Sequence, residues 1–95
     1  MNKGQEAAIK QMDRLATDIH YWAGEASLRR NSSSETSATE RLALHVREVE
    51  RLGKEHKLPE ELWRKKVAAI ALALHDCVQS RNPAFAARIA KQYGL

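Results

Sequence analysis

Apolar residues recur at spacings of three and four along most of this chain, from residue 5 to residue 93. This spacing places them on one face of an α-helix, whereas a strand would need alternation at every second position. A serine-rich stretch and two proline-marked turns interrupt the pattern. It predicts an all-α domain, with helices over about residues 5–29, 38–56, 59–79 and 83–93.

The first predicted helix carries the longest apolar stripe. Its members are Ile9, Met12, Ala16, Ile19, Ala23 and Ala26. A helix over residues 5–29 would extend about 35 Å at 1.5 Å per residue, which is longer than the other predicted helices can cover. We therefore expect helix one to pair with a second copy of the chain in a homodimer.

Residues 30–37, which read RNSSSETS, break the helical pattern. Serine and asparagine side chains compete for backbone hydrogen bonds and disfavour helix interiors. We predict a flexible loop here, followed by a helix capped by Ser34, Thr36 or Ser37. Ser37 has Glu40 three residues later, the spacing of a capping box.

The third and fourth predicted helices complete the core. Residues 67–74, VAAIALAL, are apolar nearly all round, which predicts that the third helix is the centre of the core. Asn82 followed by Pro83 is a strong helix start, and Gly94 marks a helix end. The chain is therefore expected to form one small four-helix domain over residues 1–95.

Composition and charge limit the class of protein. The chain has 95 residues, 43% hydrophobic and 29% charged, which is typical of a single globular domain. A formal charge of +4 favours anionic partners without identifying them. Cys77 is alone, so no intramolecular disulfide can form, and the N-terminus has no apolar signal core. We expect a cytoplasmic protein.

No set of residues has the spacing of a catalytic, metal or cofactor site. His45 and Glu48 form one i, i+3 pair, but no second such pair completes a metal site. His75 and Cys77 are two residues apart, so their side chains diverge by about 200° on a helix. The four glycines are scattered singly, unlike a phosphate-binding loop. We expect no enzyme activity, metal or cofactor.

One end of the first helix combines aromatic and basic residues. Tyr21 and Trp22 precede Arg29 and Arg30, and these residue types are enriched at interface hot spots. We predict that they bind a protein partner. The expected function is that of a non-enzymatic regulator or inhibitor which occludes or scaffolds its partner. Small basic helical proteins of this kind are frequent in phages and mobile elements, an association from size and class alone.

The alternative is a nucleic-acid-associated accessory protein that binds phosphates through a basic helical face. The segment 83–95, PAFAARIAKQYGL, resembles the first helix and turn glycine of a helix-turn-helix domain. The resemblance implies DNA binding and ends at Leu95, where the recognition helix of that family begins. The candidate phosphate-binding residues are Arg64, Lys65, Lys66, Arg81, Arg88 and Lys91.

Overall fold

The computed structural model describes residues 1–29 and 31–95, and that part of the chain contains four α-helices and no strand. The predicted all-α class and four-helix arrangement are therefore confirmed. The helices are α1 (Lys3–Arg29), α2 (Ser32–Glu55), α3 (Glu60–Val78) and α4 (Pro83–Tyr93).

Helices α1, α2 and α3 pack against one another as a three-helix bundle, and α4 packs against α3. Asp18 of α1 contacts His45 of α2, and nearer the start of α1 the Gln5 side chain donates to the His56 carbonyl oxygen at 3.0 Å. These contacts make α1 and α2 antiparallel. Lys66 of α3 pairs with Asp13 of α1, and further along both helices Cys77 of α3 lies beside His20 of α1. Helices α1 and α3 therefore run in the same direction.

The core is built from one buried stripe on each helix and contains many alanines. Small residues let the helices approach closely, so a few larger side chains fill the interior. The largest fully buried side chains are Met12, Ile19, Leu42, Val49, Ile70, Leu74, Val78 and Ile89.

Helix α2 begins at Ser32, well before the start predicted at residue 38, so the loop predicted over residues 30–37 differs from the structure at residues 32–37. Asn31 has an extended backbone and acts as the N-cap: its side-chain oxygen accepts from the Ser34 N–H at 2.8 Å. The Ser34 hydroxyl in turn accepts from the Asn31 N–H at 3.3 Å. This reciprocal capping box satisfies groups that would otherwise compete with the helix. Arg30 lies outside the described residues.

A homodimer through helix one was predicted because that helix was longer than the others could cover. The early start of α2 removes this reason. Helix α2 has 24 residues against 27 in α1, so it runs beside nearly all of α1. The buried side chains of α1 extend from Ala8 to Ser27, and α2 and α3 cover them within one chain. Pairing of two copies through α1 stays a prediction, without support from its length.

Helix α3 contacts all three other helices, as its apolar middle predicts. It buries Ile70 and Leu74 completely, yet Leu72, on its outer side, is 45% exposed. Among the described residues, no helix combines the length and the apolar character needed to cross a membrane.

Gly53 allows α2 and α3 to approach closely. A Cβ atom on this residue would lie 2.4 Å from Cδ1 of Trp63 and 3.0 Å from its Cβ. The contact involves the base of the Trp63 side chain, which cannot move away without shifting α3. The absence of a side chain at position 53 is therefore required by packing.

The cap on α2 predicts a stability difference between two neighbouring polar residues. Asn31→Ala should lower the free energy of unfolding by about 1 kcal/mol, because the Ser34 N–H loses its acceptor. Ser33→Ala, at an exposed position of the same turn, should change it by less than about 0.5 kcal/mol. Urea unfolding followed by far-UV circular dichroism measures both. If Asn31→Ala left the stability unchanged and Ser37→Ala lowered it, the N-cap of α2 would instead be Ser37.

The two interior helical glycines should respond in opposite directions to alanine. Gly53→Ala should lower the free energy of unfolding by about 1–3 kcal/mol, because overpacking against Trp63 outweighs the gain in helix propensity. Gly24→Ala is the matched control, since its Cβ would meet nothing within 4 Å. It should raise stability by about 0.5–1 kcal/mol. Equal stabilisation by both changes in thermal unfolding would contradict the close approach at Gly53.

Candidate partner-binding surface

Tyr21 and Trp22 lie near the end of α1, and their rings have different surroundings. Successive residues of a helix point about 100° apart, so only one of the two can face the core. Trp22 is partly buried and packs against the core cluster, whereas Tyr21 is 63% exposed. The ring centroids are 5.1 Å apart at an interplanar angle of 88°, an edge-to-face pair.

Trp22 is held by the chain's own groups. The guanidinium carbon of Arg41, on α2, lies 4.6 Å from the Trp22 ring centroid, the geometry of a cation–π interaction. The ring therefore lies between the core, Tyr21 and Arg41. Trp22 joins α1 to α2, and Tyr21 carries the more accessible aromatic surface of this pair.

A groove of about 220 Å³ opens between the end of α1 and the start of α2, and we call it the Tyr21 groove. It brings together Tyr21, Trp22 and Arg29, three of the four residues predicted to bind a partner; the fourth, Arg30, lies outside the described residues. Among the described residues, its lining is Tyr21, Trp22, Glu25, Arg29, Asn31, Ser33, Ser34 and Ser37.

The serines of the Tyr21 groove and Glu25 were missing from the sequence-based site. The serines were assigned to a flexible loop, whereas the structure places them on the first turns of α2. The available signal was Asn31, a strong N-cap residue, directly before three serines and a glutamate.

Arg29 is charged and accessible within the Tyr21 groove. Its Nε lies 2.6 Å from a carboxylate oxygen of Glu25, one helical turn earlier. An exposed pair of this kind contributes little to stability, so a carboxylate of a partner could replace Glu25 at small cost.

The residues of the predicted phosphate-binding face lie in two groups. Arg64, Lys65 and Lys66 lie in the first half of α3, whereas Arg81 follows its end and Arg88 and Lys91 lie on α4. Arg64 and Arg81 are 17 positions apart, which corresponds to about 25 Å along a helix. The structure therefore forms no single compact cluster from them.

At least four of these six cations have an acidic neighbour. Within α3, Arg64 pairs with Glu60 at 2.7 Å and Lys65 approaches Glu61 at 3.8 Å. Across helices, Lys66 pairs with Asp13 of α1. The fourth contact joins Arg88 to Glu35, at the start of α2. A phosphate would have to compete with these carboxylates, which weakens the face as an anion-binding surface.

The histidine and glutamate considered for a metal site have other partners. The His45 ring is buried, with Nε2 2.6 Å from Asp18 of α1. Both carboxylate oxygens of Glu48 accept hydrogen bonds from Arg51, which lowers the pKa of Glu48 below its usual value. Over residues 1–29 and 31–95, no three such side chains are grouped as metal ligands would be.

A thiol–imidazole pair joins α1 to α3. Nδ1 of His20 lies 3.2 Å from Sγ of Cys77, while His75 contacts the neighbouring Asp76. The two residues are 57 positions apart, so sequence spacing gave no signal of the pair. Among the described residues, His20 and Cys77 belong to no group of three or more His, Cys, Asp or Glu side chains that could hold a metal ion.

Comparison with protein-family models, curated proteins and solved structures yields no match for this chain. Its function is therefore inferred from its own surfaces. Among these, the Tyr21 groove combines an exposed aromatic ring, a guanidinium group and several hydroxyl groups within one concave site.

The ion pairs on α3 predict weak nucleic-acid binding. Fluorescence anisotropy of labelled DNA and RNA should show binding at about 50 mM salt that is lost by about 200 mM. The double variant Glu60→Gln/Glu61→Gln should bind more tightly, because it removes the carboxylates beside Arg64 and Lys65. Submicromolar binding by the unmodified protein near about 150 mM salt would contradict this expectation and favour the phosphate-binding alternative.

Proposed function

We propose that this protein is a non-enzymatic binding protein that holds a protein partner in the Tyr21 groove and regulates or inhibits it by occlusion or scaffolding. The observation that carries the proposal is the position of Tyr21. Its ring is largely exposed, yet it packs edge-on against Trp22 at the rim of a groove. An exposed aromatic ring with a fixed neighbour is the kind of side chain that dominates interface energetics.

The Tyr21 side chain is already restricted in the free protein, which favours binding through it. A tyrosine has few rotatable bonds, and contact with Trp22 restricts them further before any partner arrives. The entropy lost on association is therefore small compared with that of a long flexible side chain. Trp22 contributes by supporting Tyr21, because Arg41 and the core hold the indole in place.

The size of the Tyr21 groove favours a protein partner over a cofactor. Pockets for small molecules usually have volumes of about 300–1,000 Å³ and enclose most of the ligand. A groove of about 220 Å³ accommodates one or two side chains of a larger molecule. Its polar lining can bind an acidic or hydroxyl-bearing side chain through Arg29 and Ser33, next to an apolar contact with Tyr21.

The nucleic-acid alternative has less support, because carboxylates lie beside most of the cations that would carry it. A place among regulators encoded by phages or mobile elements belongs to the proposal only by association from size and class. A cytoplasmic location also belongs to the proposal; it is based on the single cysteine, Cys77.

The partner is sought by affinity capture from a lysate of the encoding organism, with quantitative mass spectrometry, and its Kd is then measured by isothermal titration. Tyr21→Ala and Arg29→Ala should each weaken binding of the captured partner. For Tyr21→Ala we expect a loss of about 2 kcal/mol or more, which is about 30-fold in Kd.

Matched controls are available elsewhere on the surface. Leu95→Ala removes an exposed apolar side chain, and Arg47→Ala removes an exposed charge from α2; both should bind like the unmodified protein. Trp22→Ala should lower the melting temperature as well as the affinity, since Trp22 packs against the core. A partner that binds a folded Tyr21→Ala/Arg29→Ala variant with unchanged Kd would exclude the Tyr21 groove.

A further inference from the structure

Helix α3 has an exposed stripe on the side away from its core face. The stripe consists of residues spaced by three and four, as in the contact positions of paired helices. Lys65 and Asp76 have side chains 77% and 62% exposed, and Leu72 is 45% exposed between them. We call this surface the Leu72 stripe; its members are Lys65, Ala69, Leu72 and Asp76. Leu62, one step earlier in the same row, is partly buried against the core.

The Leu72 stripe is the outer face of a helix whose middle is apolar nearly all round. A helix with this pattern is usually covered on every side. The opposite face, with Ile70 and Leu74, is fully buried, but Ala69 and Leu72 remain accessible. The first half of the stripe borders an open groove of about 540 Å³ between α3 and the start of α1.

The order of residues in the Leu72 stripe suits a copy of itself in antiparallel orientation. If a two-fold axis passes midway between Ala69 and Leu72, the large Leu72 of each copy faces the small Ala69 of the other. The same register places Lys65 of each copy opposite Asp76 of the other. A parallel pair would instead bring Lys65 to Lys65 and Asp76 to Asp76, which like-charge repulsion disfavours.

We propose that the Leu72 stripe is a homodimer interface, in which a second copy of this chain docks antiparallel with two Lys65–Asp76 pairs flanking the Leu72 and Ala69 contacts. Charge complementarity selects this occupant. Lys65 has a long contact of 3.8 Å to the exposed Glu61, so it can turn towards another carboxylate. Asp76 lies 2.9 Å from His75, the preceding residue of its own helix, and its side chain is 62% exposed. The proposal is independent of the Tyr21 groove, which lies between α1 and α2.

The size of the Leu72 stripe sets the expected strength. The 12 residues from Lys65 to Asp76 extend about 17 Å, and one helix pair of this length buries less than the about 800 Å² per partner of a standard interface. The dimer should therefore form in the micromolar range and dissociate on dilution.

Sedimentation equilibrium over about 1 µM to about 1 mM protein tests the proposal. The unmodified protein should be a reversible dimer. Lys65→Asp and Asp76→Lys should each raise the dimer Kd by about tenfold or more, because each variant places like charges opposite one another twice. An equimolar mixture of the two single variants should form a heterodimer, and the double variant should dimerise again, since both restore opposite charges.

Arg47→Asp is the control for Lys65→Asp, because it makes the same change in charge at an exposed position of α2 and should leave the dimer Kd unchanged. Circular dichroism checks that each variant is helical, and all the substituted positions are exposed. A protein that remains monomeric to about 1 mM would overturn the proposal. So would a dimer that is insensitive to the single charge reversals, or single variants that fail to recover association when mixed.

Discussion

The apolar seam of α1 has to be covered along its length, and the early start of α2 is what covers it. The hydrogen bonds between Asn31 and Ser34 begin α2 at Ser32, which makes the two helices nearly equal in length. The first turns of α2 then line the Tyr21 groove and reach Arg88 of α4 through Glu35. A later start would remove one wall of the groove and this contact to α4.

Small residues at the helix contacts set the second constraint. With alanines in the core and Gly53 against Trp63, the helices lie close together, and a few aliphatic side chains fill the space that remains. Polar pairs at the edges of the core, such as Asp18 with His45 and Asp13 with Lys66, join specific levels of neighbouring helices. The apolar contacts that alanines make are similar for many registers of two neighbouring helices. The directional polar pairs therefore help to select one register.

Charge on this protein is largely compensated locally. On α2, Glu50 pairs with Lys54, which lowers the pKa of Glu50, and Arg51 contacts both Glu48 and Glu55. The net charge of +4 is therefore spread over a surface of ion pairs. Long-range electrostatic attraction from such a surface is weak at ordinary salt concentrations.

The periodicity of apolar residues is a local property, and it was sufficient to predict the four helices and the limits of α4, where Asn82, Pro83 and Gly94 act within one turn. Residues 32–37 were wrongly predicted to be a loop. The free energies of a loop and of a capped helix differ here by about 1 kcal/mol, the contribution of one N-cap, so packing can decide between them. The packing of the helices against one another determined that these residues are helical. It also brought His20 to Cys77, because such a contact depends on how whole helices pack and leaves no pattern along the chain.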